Sequence, residues 1–551
     1  MATIPFDGPI PDLPFPPRPD FPPVPFPGRP ELDRFRRPFE YERPVLLNIR
    51  YGPAKVRVLV MSDGSSYDVN SGFSLGLALQ DAFDSAHPEH PAYARFEFTK
   101  AHRSNTAGVT PGYEDFRFTP GSLDDFDELW LFGFTPGNPY LDANEVAEIH
   151  GFMDAGGGVL AMGDHEDLGL GLCGNIKRVR SMRKWWFNAP PPPAGMIQAP
   201  DNANLTRNDT QQPAFPGGPV NGGSESDAAP QPIYPRYRYG HRLWRPWARY
   251  KYPHPVLCGP RGAIRVLPDH PHEGDCIVPA AAFAGEYPGG VAVEVIATGR
   301  NVIGRTKSGF TITDDRPFGL IGVWDGHDPA ADRGRVLVDA TWHHWFNINV
   351  GGLRAENGDE YKDILAYFRN VAVWLAPKER QARMKKAGQL IILTIPSFVE
   401  RAATLRTIRP ELVYVIGIEA RDALGRIAPQ CQSSAWFVDI VSAHLPRRVL
   451  ELIERPEQDD RIDPFEAAAI DIYATSVFGG IVNAIAVRAN AVGLEALAKL
   501  QDDLDDIAAE GAKIGLAQAE RSLAASRRRL EPFLAGEKAE PVCEREKETA
   551  A

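Results

Sequence analysis

Hydrophobic and polar positions change rhythm several times along this chain, and each change marks a different kind of element. The run KVRVLVM, Lys55 to Met61, is apolar and β-branched and ends in the polar SDGSS, which predicts a buried strand opening into a loop. FSLGLALQDAF, Phe73 to Phe83, has helical spacing, and ELWLFGF, Glu128 to Phe134, reads as a second strand. LDANEVAEIHGFMDAGGG then places Val146, Ile149 and Phe152 on one face and ends in glycines, a helix with its stop. GVLAM, Gly158 to Met162, is a third strand, and it opens into GDHEDLG. Strands alternating with helices predict a parallel sheet with helices on both faces. Ligands of such sheets sit beyond the carboxyl ends of the strands, where Asp63 and the Asp164–Asp167 cluster fall.

The pattern then breaks. Residues 188 to about 235 are rich in Pro, Gly, Asn and Ser, a loop or lid inserted over the site. The aromatic-basic stretch YPRYRYGHRLWRPWARYKY, Tyr234 to Tyr252, follows and extends the insertion to about 250. Interleaved aromatics and bases can stack on nucleic acid, but they also pack a long insertion with arginines over aromatic faces. Strand texture resumes in VAVEVIATG (Val291 to Gly299), GLIGVW (Gly319 to Trp324) and GRVLVDATWHHWF (Gly334 to Phe346). The amphipathic YKDILAYFRNVAVWLAP, Tyr361 to Pro377, closes the domain. Beyond about 380 the texture is mainly helical. IYATSVFGGIVNAIAV, Ile472 to Val487, reads as a buried helix, and Leu497, Leu500, Leu504 and Ile507 form a helix-pairing seam that falters at Gly511. That seam is a candidate homo-oligomer contact.

Residues 1–50 differ from all of this. PFPPRPDFPPVPFPGRP lacks the amide donors of regular structure and predicts an extended polyproline arm, either docking a partner or lying on its own domain. The division is thus an arm over 1–50, an α/β domain over 51–378 and a mainly helical region over 379–551.

Length and charge refine this picture. A chain of 551 residues suggests two to four domains. A net charge of −12 without a long basic block argues against nucleic acid as the main partner. The five cysteines are widely spaced with no CxxC, which disfavours a disulfide framework or a zinc ribbon and favours a reducing compartment. The opening MATIPFDGPIPDLPFPP lacks the basic flank and apolar core of a signal peptide, and no uninterrupted run of about 18 apolar residues occurs. The expectation is a cytoplasmic protein with no membrane partner.

The candidate chemistry lies in three clusters at predicted strand ends: His165 in GDHEDLG, His270 and His272 in PDHPHEG, and His343 with His344 in TWHHWF. An extended DHPHE points His270 and His272 to one side, able to share a divalent metal or a substrate, with Glu273 turned away unless the chain bends at Gly274. Adjacent on a strand, only one of His343 and His344 can face the site. His165 joined to these would complete a metal set, if the loops converge. Against this stands a plainer reading, in which these side chains fix loops and Asp164 or Asp167 accepts backbone amides at a helix start. Cys173 in GLGLCGN lies about ten residues past its strand, too far for a nucleophile elbow, and reads as a structural thiol.

The order of these motifs resembles the class I glutamine amidotransferase-like superfamily, and within it the ThuA-like (trehalose-utilisation) branch. The residues that carry the resemblance are Gly156 to Gly158, His165, His254–Pro255, the Asp269/Glu273 region, Val323–Trp324, and Gly334–Arg335–Val336 with His343 or His344. It covers about 55–375, interrupted by the insertion. It implies a flavodoxin-like domain. The amidotransferase cysteine is replaced by the Asp164–His165 turn, so glutaminase activity is not expected. The branch is implicated in carbohydrate metabolism, though fold alone does not carry substrate. The functional expectation is a hydrolase or lyase acting on a small polar, carbohydrate-like substrate. His165 or His343/His344 serves as general acid/base, and Asp164 or Glu166 orients a histidine. Asp63, Asp269, Glu273 and Trp342 bind substrate, and His165, His270 and His272 hold any metal. The rival is a non-catalytic scaffold that uses the arm and the C-terminal helices.

Overall fold

In the computed structural model, the β-branched run predicted from Lys55 forms strand β1 (Ala54–Ser62), buried along nearly its whole length. The described residues are 52–185, 230–246, 251–268, 273–300, 304–305, 311–312, 316–395, 398, 412–454, 464–493 and 499–534, except 88, 137–138, 166 and 245. The proline-rich arm, most of the 188–250 insertion, Glu166, Asp269, His270, His272 and Leu497 therefore lie outside them.

Strand β1 feeds helix α1 (Gly76–Phe83), strand β2 (Ala94–His102) and strand β3 (Glu128–Phe132). Helix α2 (Ala143–Asp154) and strand β4 (Gly158–Met162) complete the first half. The remaining strands of the central sheet are β5 (Tyr234–Pro235), β6 (Glu294–Arg300), β7 (Pro317–Trp324) and β8 (Val336–Asp339). They form one eight-stranded sheet in the order β2-β1-β3-β4-β8-β7-β6-β5.

The expected all-parallel sheet is corrected here. β2, β1, β3, β4 and β8 are parallel, whereas β7 pairs antiparallel with β8, β6 with β7 and β5 with β6. Periodicity identifies a strand but carries no direction. VAVEVIATG and GLIGVW, buried on the antiparallel side, read like parallel strands for that reason.

Helix α2 shows how local sequence sets an element. Asp142 accepts hydrogen bonds from the amides of Asn144 (2.8 Å) and Glu145 (2.9 Å), and Glu145 returns one from the Asp142 amide at 3.2 Å. This reciprocal cap satisfies amides that a helix start otherwise leaves unpaired. Arg103 pairs with the far side of Glu145, tying the helix to the end of β2. Replacing Asp142 with Ala is expected to cost about 1 kcal/mol in urea denaturation, with Asn retaining most of it. An unchanged alanine variant would mean that Arg103–Glu145 alone holds the helix start.

Helix α3 (Asn347–Glu356) leads into helix α4 (Asp359–Leu375), which lies against β4, β8 and α1. Helix α5 (Lys378–Ile392) packs on β1. The helical region continues with α6 (Val413–Gly425), α7 (Gln430–Ser442), α8 (Arg447–Glu454), α9 (Pro464–Val492) and α10 (Leu504–Leu534). Helix α9 is the one helix among the described residues long and apolar enough to cross a membrane, and most of its apolar window is buried within the chain. The leucine seam finds its partner inside the chain. Leu500, Leu504 and Ile507 are buried, and α10 packs along α9.

The helical region is joined to the α/β body by shared packing. Tyr93 meets Trp436 edge-on at 4.8 Å, and Lys386 on α5 pairs with Asp505 on α10 at 2.9 Å. The Arg421 guanidinium lies over both Trp244 (5.1 Å) and Phe437 (4.7 Å). Trp244, from the aromatic-basic stretch, thus packs under an arginine, one of the two roles that its sequence allowed.

Candidate functional site

Strands β4 and β8 are parallel neighbours, with Met162 opposite Asp339, so the loops that leave them emerge side by side. The β4 strand turns at Gly163, where an added Cβ would lie 2.2 Å from the Leu168 carbonyl oxygen and 2.7 Å from the Trp185 ring. The Asp164 amide donates to the Leu168 carbonyl (3.1 Å), and the Trp342 amide donates to the Gly163 carbonyl (3.0 Å). This second bond fastens the β8 turn to the β4 turn.

Asp164 is fully buried at this junction. Its Oδ2 lies 3.7 Å from His165 Nε2 and 4.0 Å from His343 Nε2, so one carboxylate stands between two imidazoles from two different loops. His343 is held from behind by Asn349 of α3, whose Oδ1 lies 2.8 Å from Nδ1. An amide oxygen there favours the proton on Nδ1, and Nε2 is the ring nitrogen that faces Asp164. His165 keeps 13% of its side chain exposed, against 1% for His343, and is the more accessible of the two.

The adjacent histidine does something different. His344 is fully buried, with Nδ1 2.6 Å from Asp339 Oδ1 and Nε2 3.0 Å from Glu273 Oε1. Gln231 donates to the same Glu273 oxygen (2.5 Å), while Tyr367 donates to Asp339 Oδ2 at 2.8 Å. Burial alone would push the imidazole pKa down. The charge and hydrogen bond of Asp339, then those of Glu273, outweigh it and raise it to about 10. His344 is thus clamped between two buried carboxylates that favour its protonated form.

The strand expected through TWHHW is corrected as well: β8 ends at Asp339, and Trp342–Trp345 form a 3-10 turn started by Thr341. A tight turn, unlike a strand, buries both histidines while aiming them at different partners.

Around His343 stands an aromatic wall. Phe134 stacks on Trp342 at 4.4 Å, and Phe73, 48% exposed, meets the rings of His343 (6.0 Å) and Phe346 (5.8 Å) edge-on. Trp342 itself is only 5% exposed. Asp63, at the end of β1, accepts the amides of Phe134 (2.6 Å) and Thr135 (3.2 Å), which braces the tip of β3. Burial raises its pKa, and those bonds oppose the rise. Asp63 and Glu273, both read as substrate ligands, thus have internal partners. His254, from the resembling HP segment, caps the turn at Pro255–Leu257 and packs edge-on to Trp374 at 5.0 Å. Burial holds its pKa well below the usual imidazole value.

Sequence reasoning missed Arg183. It is fully buried, its guanidinium lies 4.3 Å from the Trp185 ring, and it donates to the Ala340 carbonyl at 2.8 Å. Its Nε and Nη1 find no hydrogen-bond partner, and Asp164 is among the charges that favour its protonated form. Nothing in RSMRKWW distinguishes this arginine from a surface one, since its burial depends on Gly274 and Ala340, which are remote in sequence.

Among the described residues no three His, Cys, Asp or Glu side chains converge as a metal site. Cys173 sits fully buried in the one-turn helix Leu170–Cys173, and burial raises its thiol pKa. No protein-family model matches this chain, and no curated protein is significantly similar to it in sequence. The functional reading therefore rests on geometry and residue chemistry.

Proposed function

We propose that this protein is a hydrolase- or lyase-type enzyme acting on a small polar, carbohydrate-like substrate, without glutaminase activity. The observation that carries the reading is the buried Asp164 carboxylate standing between His165 and His343 at the carboxyl ends of β4 and β8. His165, the more exposed imidazole, is the general acid/base, and Asp164 orients it and stabilises its cation. His343, fixed by Asn349, shares that charge. His344 with Asp339 and Glu273 is the support beneath the turn. The half-exposed ring of Phe73 suits the apolar face of a sugar-like ring, with Trp342 packed in the wall behind it.

Membership of the class I glutamine amidotransferase-like superfamily, in its ThuA-like branch, belongs to the same proposal. The parallel strands run 2-1-3-4 and then β8, the flavodoxin-like order, which supports it. An aspartate–histidine pair at the turn after β4, where that superfamily carries its cysteine, supports the loss of glutaminase chemistry. We also place the protein in the cytoplasm, a reading favoured by four free thiols among the described residues.

The test is a turnover screen on glycosides, lactones, sugar esters and small amides, with His165→Ala, Asp164→Asn and His343→Gln beside the wild type. Any turnover found should fall by about 10²–10⁴-fold in His165→Ala with the fold intact by circular dichroism. Turnover that survives all three substitutions would place the chemistry elsewhere, and none on the whole panel would leave the scaffold as the better account.

A further inference from the structure

Two cysteines that lie 173 residues apart in sequence meet where the α/β body joins the helical region. Cys258 opens a short hairpin, Cys258–Gly259 paired with Gly262–Ala263. The hairpin is anchored to α4 by Asn370, whose amide donates to the carbonyls of Val256 (3.2 Å) and Cys258 (2.9 Å). Cys431 is the second residue of α7, directly after Gln430. Its backbone amide donates to Cys258 Sγ at 3.4 Å, and its own thiol reaches the Pro255 carbonyl at 3.8 Å. Both thiols are free and almost fully buried.

The arrangement is asymmetric. The Cys431 side chain beside Cys258 lowers its pKa against the effect of burial, and the first amides of α7, from Cys431 and Gln430, lower it further. Cys431 is raised, by burial first and then by Cys258. Cys173 and Cys276 are buried to a similar degree, and there burial raises the thiol pKa. A sulfur at the start of a 13-residue helix, with the Cys431 amide donating to it and that residue's own thiol close by, is the setting of a nucleophilic cysteine with its resolving partner.

We propose that Cys258 and Cys431 form a peroxide-reactive thiol pair that closes to a disulfide between the hairpin and α7. The Cys258 thiolate attacks one oxygen of hydrogen peroxide. An S–O bond forms, the O–O bond breaks, and the departing hydroxide takes a proton to become water. The Cys431 sulfur, giving up its proton, then attacks the Cys258 sulfenic sulfur. The S–S bond forms, the S–O bond breaks, and a second water leaves with that proton. Two thiols and one peroxide give one disulfide and two waters, the two sulfurs supplying the two electrons. A dithiol reductant reverses the closure. The pair lies apart from the Asp164–His165–His343 centre and does not depend on the activity assigned to it.

The experiment uses the full chain, reduced and then exposed to hydrogen peroxide near pH 7. Five thiols should fall to three, and a digest should yield a linked peptide carrying Cys258 and Cys431 that dithiothreitol removes. In Cys431→Ser, dimedone should trap a sulfenic acid on Cys258, whereas Cys258→Ser should leave Cys431 unoxidised. In the native wild type, which needs no variant to fold, iodoacetamide should label Cys258 about ten-fold faster than Cys173 or Cys276. Absence of the linked peptide, or alkylation of Cys258 no faster than of those two thiols, would overturn the proposal.

Discussion

His344→Ala is expected to lower folding stability by about 3–5 kcal/mol, because it leaves two buried carboxylates without the cation between them. Asp339 and Glu273 are both fully buried, and each gives an oxygen to the imidazole, at 2.6 Å and 3.0 Å. Asp339 would keep the Tyr367 hydroxyl and Glu273 the Gln231 amide, so the damage is loss of charge balance more than loss of every donor. Urea denaturation at pH 7 reads the cost directly. A loss below about 1 kcal/mol would mean that the imidazole is neutral and its partners carry protons.

The same clamp sets a pH dependence. In the folded chain the His344 pKa is raised to about 10, whereas the unfolded chain leaves it near the ordinary 6.5. Protonation therefore favours the folded state. The stabilisation is complete below pH 6.5 and is lost as pH rises toward 10. Wild-type stability should decline across that window more steeply than that of His344→Gln, which lacks the titrating group. Parallel slopes would show that the buried imidazole does not hold its proton.

Gly479→Ala is expected to cost about 3 kcal/mol, at the upper end of overpacking penalties. A Cβ at Gly479 would lie 1.7 Å from the Val413 carbonyl oxygen and 2.7 Å from the Gly417 amide nitrogen, so α9 and α6 touch backbone to backbone. No flexible side chain stands there to move aside, and relief requires the helices to separate. At the next residue, a Cβ at Gly480 would lie 2.2 Å from the Gly511 carbonyl oxygen of α10, and there α9 and α10 are in backbone contact. Gly425, at the end of α6, has nothing within 4 Å of such a Cβ, and Gly425→Ala is the control. It should leave stability unchanged or raise it by up to ~1 kcal/mol. Equal effects of the two substitutions in guanidinium melts would argue that α9 and α6 part easily.

The glycines that halt the sequence seam at Gly511 are thus what lets α9 and α10 approach. Read along one chain, Gly511 looks like a fault in a coiled coil. Read across two helices, it is a contact point, because the space it spares is filled by a backbone more than 30 residues earlier. The histidines divide in the same way. Their gathering at strand ends is legible in sequence, since β1, β3 and β4 follow from apolar runs that stop at polar residues. That His343 faces Asp164 while His344 faces Asp339 and Glu273 is not legible, because it follows from a 3-10 turn where strand periodicity was expected.

By itself, the sequence determined the elements whose signals are local: the buried strands that lead into the Asp63 and Asp164 turns, the helix from Ala143 with its glycine stop, and the buried helix from Pro464. Hydrophobic period, capping side chains and glycine stops act within a few residues, so they can be read one segment at a time. Only the tertiary structure decided strand direction beyond β8, the burial of Arg183, the clamp on His344 and the meeting of Cys258 with Cys431. Each of these depends on partners brought together by chain reversal, and no local pattern encodes which distant residue fills the space beside a side chain.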